Sequence, residues 1–115
     1  YNAGQYLTLE TEIQGAKIRR AYSLCSAPFE ETLSVVVKEV KNGRFSKFAN
    51  RELREGDMLS VLPPEGKFIL EPNKNSQNTY AAFAAGSGIT PVISIIKTVM
   101  EEEPESKFLL VYGNK

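Results

Sequence analysis

The chain has 115 residues, of which 42% are hydrophobic and 24% charged, the composition of an ordinary soluble protein with room for one modest core. Lys plus Arg and Asp plus Glu both total 14, so no net charge draws the chain toward nucleic acid or an anionic membrane surface. With no His and one Cys, a metal site or a His-based catalytic triad is not expected.

The location of the protein is predicted from features that the sequence lacks. Its longest apolar stretches, residues 80–85 and 91–100, fall well short of the ~20 residues that a membrane span needs. The first residues carry no secretory signal, and the lone Cys25 cannot form an internal disulfide. We therefore expect a cytoplasmic protein. We also expect the chain to be part of a longer one, because it opens without Met and closes directly after a strand pattern.

The first half of the chain has the pattern of short antiparallel strands. Leu7, Leu9 and Ile13 alternate with polar residues, the two-residue period of a half-buried strand, and residues 14–16 read as a turn. Further strands are predicted at residues 17–26, 32–40 and 58–62, with Leu33, Val35 and Val37 on one face of the second of these. Joined by polar turns, these strands predict an antiparallel barrel.

A short helix and a linker interrupt this pattern. Apolar residues within 45–53 recur at helical spacing, so a helix is predicted to begin just after Gly43. Residues 73–78 are the most polar and least patterned stretch, which indicates a linker. We place the domain boundary there, with residues 1–73 in a barrel domain and residues 74–115 in an incomplete α/β domain.

The second domain opens with the pattern of one βαβ unit. Residues 80–85 and 107–112 are apolar runs, typical of parallel strands covered on both faces. Between them, residues 86–88 predict a tight turn, Thr90 a helix cap and Pro91 a first helical turn. One face of the helix is apolar, and its predicted buried residues are Val92, Ile95, Ile96, Val99 and Met100.

The glycine-rich turn at residues 86–91 is the first of three motifs suited to binding a nucleotide. Backbone N–H groups at such a strand-to-helix turn, and the positive end of the helix dipole, can hold a phosphate. Val92 and Ile93 follow, so the third glycine of the dinucleotide fingerprint is missing. The plainer alternative is an ordinary turn with a good cap.

The second motif is Arg20-Ala21-Tyr22-Ser23, on a predicted strand whose period puts Arg20 and Tyr22 on one face. A guanidinium can grip a phosphate through two N–H groups, while the Tyr ring offers a flat face to an aromatic ring system. That pairing suits a flavin nucleotide. The alternative is an exposed Arg beside a half-buried Tyr.

The third motif is Gly43-Arg44-Phe45-Ser46, at the entry to the short helix. Free N–H groups in the first turn of a helix can hold a second phosphate. The alternative is simple N-capping of this helix by Ser46 or Asn42.

Together, and in this order, the three motifs resemble the ferredoxin–NADP reductase superfamily. Gly4-Gln5-Tyr6, Gly56-Asp57 and Gly66-Lys67-Phe68 add to the resemblance. It implies an antiparallel FAD-binding β-barrel of Greek-key type, with its first strand missing, followed by the first βαβ unit of an α/β NAD(P)-binding domain. Residues 22–26 and 110–114 look most like flavodoxin reductases and the reductase components of bacterial oxygenases, such as the phenylacetyl-coenzyme A oxygenase type.

The resemblance also implies a role for each motif. Arg20 would contact the FAD phosphates, Tyr22 would pack on the isoalloxazine ring, and the Ser23 hydroxyl would hydrogen-bond near the reactive ring nitrogen. Val37 and Lys38 would lie along the flavin. The remaining implied contacts are Gly43, Arg44, Phe45 and Ser46 to the FAD pyrophosphate, and Gly86, Ser87, Gly88, Thr90 and Pro91 to NAD(P).

The function implied by the resemblance is that of an FAD-dependent NAD(P)H oxidoreductase. Electrons would pass from NAD(P)H through FAD to an iron–sulfur protein, ferredoxin, flavodoxin or oxygenase component, with no side chain needed as a general acid or base. A 2Fe-2S centre needs four Cys and could lie only outside this chain. The chain alone is expected not to turn over NAD(P)H, and the residues that choose between NADH and NADPH are expected mostly beyond Lys115.

Other residues are interpreted as structural: Cys25 as part of the core, and Glu101, Glu102 and Glu103 as the solvated end of a helix. Two rival functions stay open. A flavin-binding electron-transfer or regulatory subunit would keep the barrel without NAD(P)H turnover of its own. A non-catalytic barrel could instead grip oligonucleotides on its aromatic side chains, although the zero net charge counts against that.

Overall fold

A computed structural model describes residues 1–113, so predictions that involve Asn114 and Lys115 lie outside the described residues. Two sheets form, one in each predicted domain: a three-stranded sheet of order β2-β1-β3, and the pair β4-β5. In chain order the elements are β1 (Tyr6–Ile13), β2 (Ala16–Ser23), α1 (Arg44–Arg51), β3 (Ser60–Val61), β4 (Thr79–Ala85), α2 (Ile89–Glu102) and β5 (Lys107–Gly113).

Strands β1 and β2 form an antiparallel hairpin, as the alternation predicts. Ile13 pairs with Ala16, so the connection consists of Gln14 and Gly15 alone. Both have positive φ, 51° and 78°, the backbone of a turn whose twist matches that of the flanking strands. The predicted turn is therefore confirmed, except that Ala16 already belongs to β2.

The hairpin and α1 build the first core. Leu7 and Leu9 of β1 are buried, and Phe45 at the start of α1 is only 1% exposed. The prediction that a helix begins just after Gly43 is confirmed. The buried members of this cluster are Leu7, Leu9, Ile18, Leu24 and Phe45.

The predicted strand at residues 32–40 is wrong for the described structure. It keeps a single bridge, between Leu24 and Val35, and Leu33 lies exposed rather than on a buried face. Beyond that bridge the segment forms no ladder with β2 or β3, the two edge strands of the sheet, and β-propensity does not produce a strand without a paired neighbour. The antiparallel sheet is present, but no closed barrel forms within residues 1–113.

The βαβ unit is confirmed: β4 and β5 pair in parallel, from Thr79 with Lys107 to Ala85 with Gly113. Two details of its helix are wrong. Met100 is 62% exposed, because the buried face is rotated toward Ser94 and Thr98. Thr90 does not cap α2. Gly88 precedes the helix, and the Thr90 hydroxyl donates to the Ser87 carbonyl (3.0 Å).

Glu103 is not part of a solvated helix end, since its side chain is 1% exposed. Its carboxylate accepts hydrogen bonds from the Ser106 hydroxyl (2.7 Å), the Tyr80 hydroxyl (2.9 Å) and the Asn73 N–H (3.1 Å). Burial by itself raises the pKa of Glu103, but these donors together hold that pKa below its ordinary value of 4.5. Glu103 therefore ties the predicted linker to the βαβ unit.

Cys25 is half-buried rather than part of the core, and its thiol donates to the Ser34 carbonyl (3.3 Å). The side chains on either side of it, Leu24 and Ser26, are the ones turned inward. Across residues 1–113, no helix is long and apolar enough to cross a membrane. The same residues hold no cluster of His, Cys, Asp and Glu suited to a metal ion.

Candidate functional site

A cavity of about 760 Å³ opens between the βαβ unit and the part of the chain that contains β2 and α1, and it brings all three motifs together. Ligand pockets in proteins are commonly ~300–1,000 Å³, so this one has the size for a nucleotide cofactor. Ten predicted site residues line it: Arg20, Tyr22, Ser23, Lys38, Gly43, Phe45, Ser46, Gly86, Ser87 and Thr90. Val37, Arg44, Gly88 and Pro91 are outside its lining.

Strand β2 forms the first wall of the cavity. Arg20 and Tyr22 share a strand face, as predicted, and the Tyr22 ring packs on the Phe45 ring with centroids 5.7 Å apart. Burial raises the pKa of the Tyr22 hydroxyl, and the positive charge of Arg20 partly opposes that rise. The two side chains therefore present a cation and an aromatic face to the same space.

The start of α1 forms the floor, and its donors are backbone groups. None of the hydrogen bonds within residues 1–113 is donated by the N–H groups of Arg44, Phe45 or Ser46. The Ser46 hydroxyl is already used, since it donates to the Gly43 carbonyl (3.2 Å) and accepts from the Val40 N–H (3.1 Å). Neither Ser46 nor Asn42 caps the helix, so the capping alternative fails.

Gly43 is required by close packing rather than by its backbone angle. Its φ of −85° suits any residue, but an added Cβ would meet the Ser46 hydroxyl and lie 2.6 Å from Cγ2 of Val40. A glycine at this position lets the loop fold tightly against the helix start. The free N–H groups of residues 44–46 therefore lie at the end of a compact turn.

The turn between β4 and α2 forms the opposite wall. Gly86 adopts a φ of 55°, which favours glycine, and residues 86–88 make one turn of 3₁₀ helix. The Tyr112 hydroxyl at the end of β5 donates to the Gly86 carbonyl (3.4 Å). Gly88 has ordinary helical angles and open space around it, and nothing in the structure explains its identity.

Sequence reasoning missed five lining residues: Ala21, Val36, Val40, Ile89 and Tyr112. Val36 and Val40 could have been predicted, because alternate residues of an extended segment lie on the same face as Lys38, whereas Val37 lies on the other face. The Val37 carbonyl instead accepts a hydrogen bond from the Asn50 amide (3.0 Å). Tyr112 could have been found from its place, since the carboxyl ends of adjacent parallel strands meet at one edge of a sheet.

The cavity is positively charged, although the chain as a whole has no net charge. Arg20 and Lys38 contribute two positive charges to the lining, and no Asp or Glu is among the lining residues. The lining also lacks His and Cys, so it offers no strong general base or nucleophile. Such a site can bind and orient a long anionic ligand that contains a flat ring system, whose own chemistry would then be used.

Comparison with known proteins agrees with this geometry. The family of oxidoreductase FAD-binding domains matches residues 1–69, and that of oxidoreductase NAD-binding domains matches residues 83–115. One subunit of the 1,2-phenylacetyl-CoA epoxidase of Escherichia coli is 44% identical over all of this chain, which covers 32% of that protein. The ferredoxin reductase component of the 3-ketosteroid-9-alpha-monooxygenase of Rhodococcus rhodochrous is 38% identical, again over 100% of this chain and 32% of that protein.

The fold is likewise that of known reductases. The ferredoxin-NADP+ reductase from Plasmodium falciparum superimposes with a TM-score of 0.82 at 22% identity, over 97% of this chain and 49% of that one. The resemblance inferred from the three motifs is confirmed, together with the order of an antiparallel sheet before a parallel strand–helix–strand unit. The chain spans about a third of the length of these curated relatives from Escherichia coli and Rhodococcus rhodochrous.

Proposed function

Since the chain belongs to the family of oxidoreductase FAD-binding domains and continues into an oxidoreductase NAD-binding domain, we propose that the cavity between its two walls is where NAD(P)H meets FAD. The whole protein then passes electrons from NAD(P)H through FAD to an iron–sulfur protein, ferredoxin, flavodoxin or oxygenase component. The observation that carries the proposal is the single cavity that collects all three motifs around two cations and no carboxylate.

The residues present fit FAD. Arg20 and Lys38 would offer positive charge to its phosphates, and the free N–H groups of residues 44–46 would provide donors for the pyrophosphate. Tyr22 is held by Phe45 and so presents its ring at a fixed angle, while Ser23 offers a hydroxyl at the end of β2. Gly86, Ser87 and Thr90 line the opposite wall, where the nicotinamide nucleotide would bind.

Bound FAD would supply the redox chemistry, two-electron exchange with NAD(P)H and one-electron exchange with the acceptor. The part of the protein is positioning, because hydride transfer needs the reacting atoms about 3–3.5 Å apart. The wall formed by Arg20, Tyr22 and Ser23 would hold one reactant, and the turn at residues 86–90 would hold the other. Neither wall has to accept or donate a proton.

The electron acceptor is proposed from the relatives. One of them is named as part of an epoxidase and another as the ferredoxin reductase component of a monooxygenase. We infer an oxygenase system as the partner, reached directly or through an iron–sulfur centre outside this chain. A flavin-binding subunit without its own NAD(P)H turnover remains the second candidate, and reduction of its flavin by NAD(P)H in a chain with the complete NAD-binding domain would decide between them.

The binding proposal is tested by FAD titration of the wild-type chain, Arg20→Ala and Arg19→Ala. Arg19 is the matched control, because it lies next to Arg20 on the other strand face, where it pairs with Glu10 (3.2 Å). Losing a charge-assisted phosphate contact costs about 1.5–3 kcal/mol, so Arg20→Ala should bind FAD about ten- to a hundredfold more weakly. Arg19→Ala should stay close to wild type. Equal losses in the two variants, or a wild-type chain that binds no FAD, would refute the site.

A further inference from the structure

Helix α2 contacts the FAD-binding domain through an apolar cluster, a buried hydrogen bond and an exposed ion pair. Ile95 and Val99 pack against Ala3 and Leu70 in an apolar cluster. Beside that cluster the Ser94 side chain is fully buried, 0% exposed, and its hydroxyl donates to the Ser26 carbonyl at 2.7 Å across 68 residues of sequence. Neither the motifs nor the family likeness assigns Ser94 a role.

The segment that receives this bond is itself well fixed. The Ser26 carbonyl also accepts from the Tyr1 hydroxyl (2.9 Å). Glu30 accepts from the Ala27 N–H (2.5 Å) and pairs with Lys97 of α2 (3.3 Å) at the exposed rim of the contact. Residues 26–30 are thus bound to α2 at two points, one buried and one exposed.

The position of this bond relates it to the cavity. Ser26 follows three residues after Ser23, which ends β2 and lines the flavin wall. Ser94 follows Thr90, which lines the nicotinamide wall, by about one turn of helix. The hydrogen bond is therefore a short link between the two walls.

Its directionality distinguishes it from the neighbouring contacts. Apolar packing is non-directional and lets two surfaces slide. A hydrogen bond weakens steeply away from its preferred distance and angle. Of these three contacts, the apolar cluster is not directional and the ion pair is exposed to water, so the bond from Ser94 is the one that is both directional and buried.

We propose that Ser94 is a positioning residue, whose hydrogen bond to the Ser26 carbonyl sets the separation between the flavin wall and the nicotinamide wall. The proposal rests on the proposed function for its catalytic consequence. Misplacement of reactants by about 1 Å can slow a reaction about a hundredfold, so one buried hydroxyl outside the cavity can matter to hydride transfer.

Ser94→Ala removes the link with little other disturbance. The Ser26 carbonyl keeps its bond from Tyr1, and Ala has a higher helix propensity than Ser, so the variant is expected to fold. Thr98→Val is the matched control. It also removes a buried hydroxyl from α2, but one that donates within the helix, to the Ser94 carbonyl (2.9 Å).

The first measurement uses the 115-residue chain without cofactor and follows amide hydrogen exchange by NMR. The Ala27 amide is fully buried and should report opening of the link. Ser94→Ala should speed its exchange about three- to tenfold, the factor of one net hydrogen bond. Thr98→Val should leave it within about twofold, and the Lys47 amide in α1 should not change in either variant. An unchanged Ala27 amide in Ser94→Ala, or equal effects in the two variants, would overturn the link.

The second measurement follows flavin bleaching at saturating NADH or NADPH in a full-length chain with the complete NAD-binding domain. Ser94→Ala should lower the limiting rate at least about tenfold while the FAD dissociation constant stays at the wild-type value, because the flavin wall is intact. A limiting rate equal to that of Thr98→Val would overturn the positioning role. Failure of the wild-type chain to bind FAD would refute the proposed function alone, since the exchange experiment does not depend on cofactor.

Discussion

The buried carboxylate of Glu103 gives the sharpest prediction about stability. It receives donors from three sides, the Ser106 and Tyr80 hydroxyls and the Asn73 N–H, with no positive charge among them. Glu103→Gln keeps the shape but is uncharged and presents one acceptor oxygen instead of two, so at least one buried donor loses its acceptor. Such a loss costs about 1–3 kcal/mol, and we expect the free energy of unfolding to fall by that amount.

Urea unfolding followed by circular dichroism at neutral pH measures this difference. Glu102→Gln is the matched control, because it makes the same change one residue earlier, on an exposed side chain. It should stay within about 0.5 kcal/mol of wild type. If Glu103→Gln were as stable as Glu102→Gln, the hydrogen bonds to the carboxylate would not hold the linker.

The same pair of variants carries a pH signature. The pKa of Glu103 is lower in the folded chain than its ordinary value of 4.5, so its stabilising contribution is complete above that value. The contribution is lost as the pH falls below 4.5 through the folded pKa, because the unfolded chain then binds more protons. The stability gap between wild type and Glu103→Gln should therefore narrow on acidification. A gap that widened below pH 4.5 would contradict the sign of the shift.

Two further predictions concern the turn at Gly43 and the exposed face of the β4-β5 sheet. Gly43→Ala should weaken FAD binding about tenfold and FMN binding much less, because the added Cβ displaces the helix start and only FAD has a second phosphate to place there. Gly113→Ala, whose Cβ meets open space, is the control. Equal loss of affinity for FAD and FMN in Gly43→Ala would refute the assignment. Phe83 is 80% exposed and pairs with Val111, 48% exposed, on the sheet face turned away from α2. We expect the chain to self-associate through this apolar face, and Phe83→Ser should reduce that association in analytical ultracentrifugation. The same change at Met58, 94% exposed elsewhere on the surface, should reduce it less.

The elements that could be predicted from the sequence are those whose pattern is local. The hairpin turn depends on two residues with positive φ, and α2 depends on a helical period that Val92, Ile95 and Val99 follow. The strand predicted at residues 32–40 does not form, because a strand there would depend on a pairing partner from elsewhere in the chain. The predicted burial of Met100 was wrong because the position of the packed neighbour, and not the helical period, decides which residues at the border of the apolar face are buried.

The site was predictable in its motifs but not in its outline. Ten of the residues predicted to bind cofactors do line the cavity, since strand parity and helix starts fix where Arg20 or Gly43 must face. The buried hydrogen bonds of Glu103 and Ser94 could not be predicted, because their partners, Asn73 and Ser26, lie 30 and 68 residues away. Polar residues that are buried by distant segments look like ordinary surface residues in a sequence.

The separation along the chain between bonded residues also orders the folding of the protein. The hairpin closes within residues 6–23 and the βαβ unit within residues 79–113, whereas the bond from Ser94 to Ser26, in the segment that follows the hairpin, spans 68 residues. Low contact order favours early formation, so both halves are expected to form before the cavity exists. We therefore expect FAD to bind only the fully assembled chain, which is the last state to form. Added to refolding chains at about a hundredfold excess over its dissociation constant, it should stabilise the folded population by ~2.7 kcal/mol and leave the first kinetic phase unchanged.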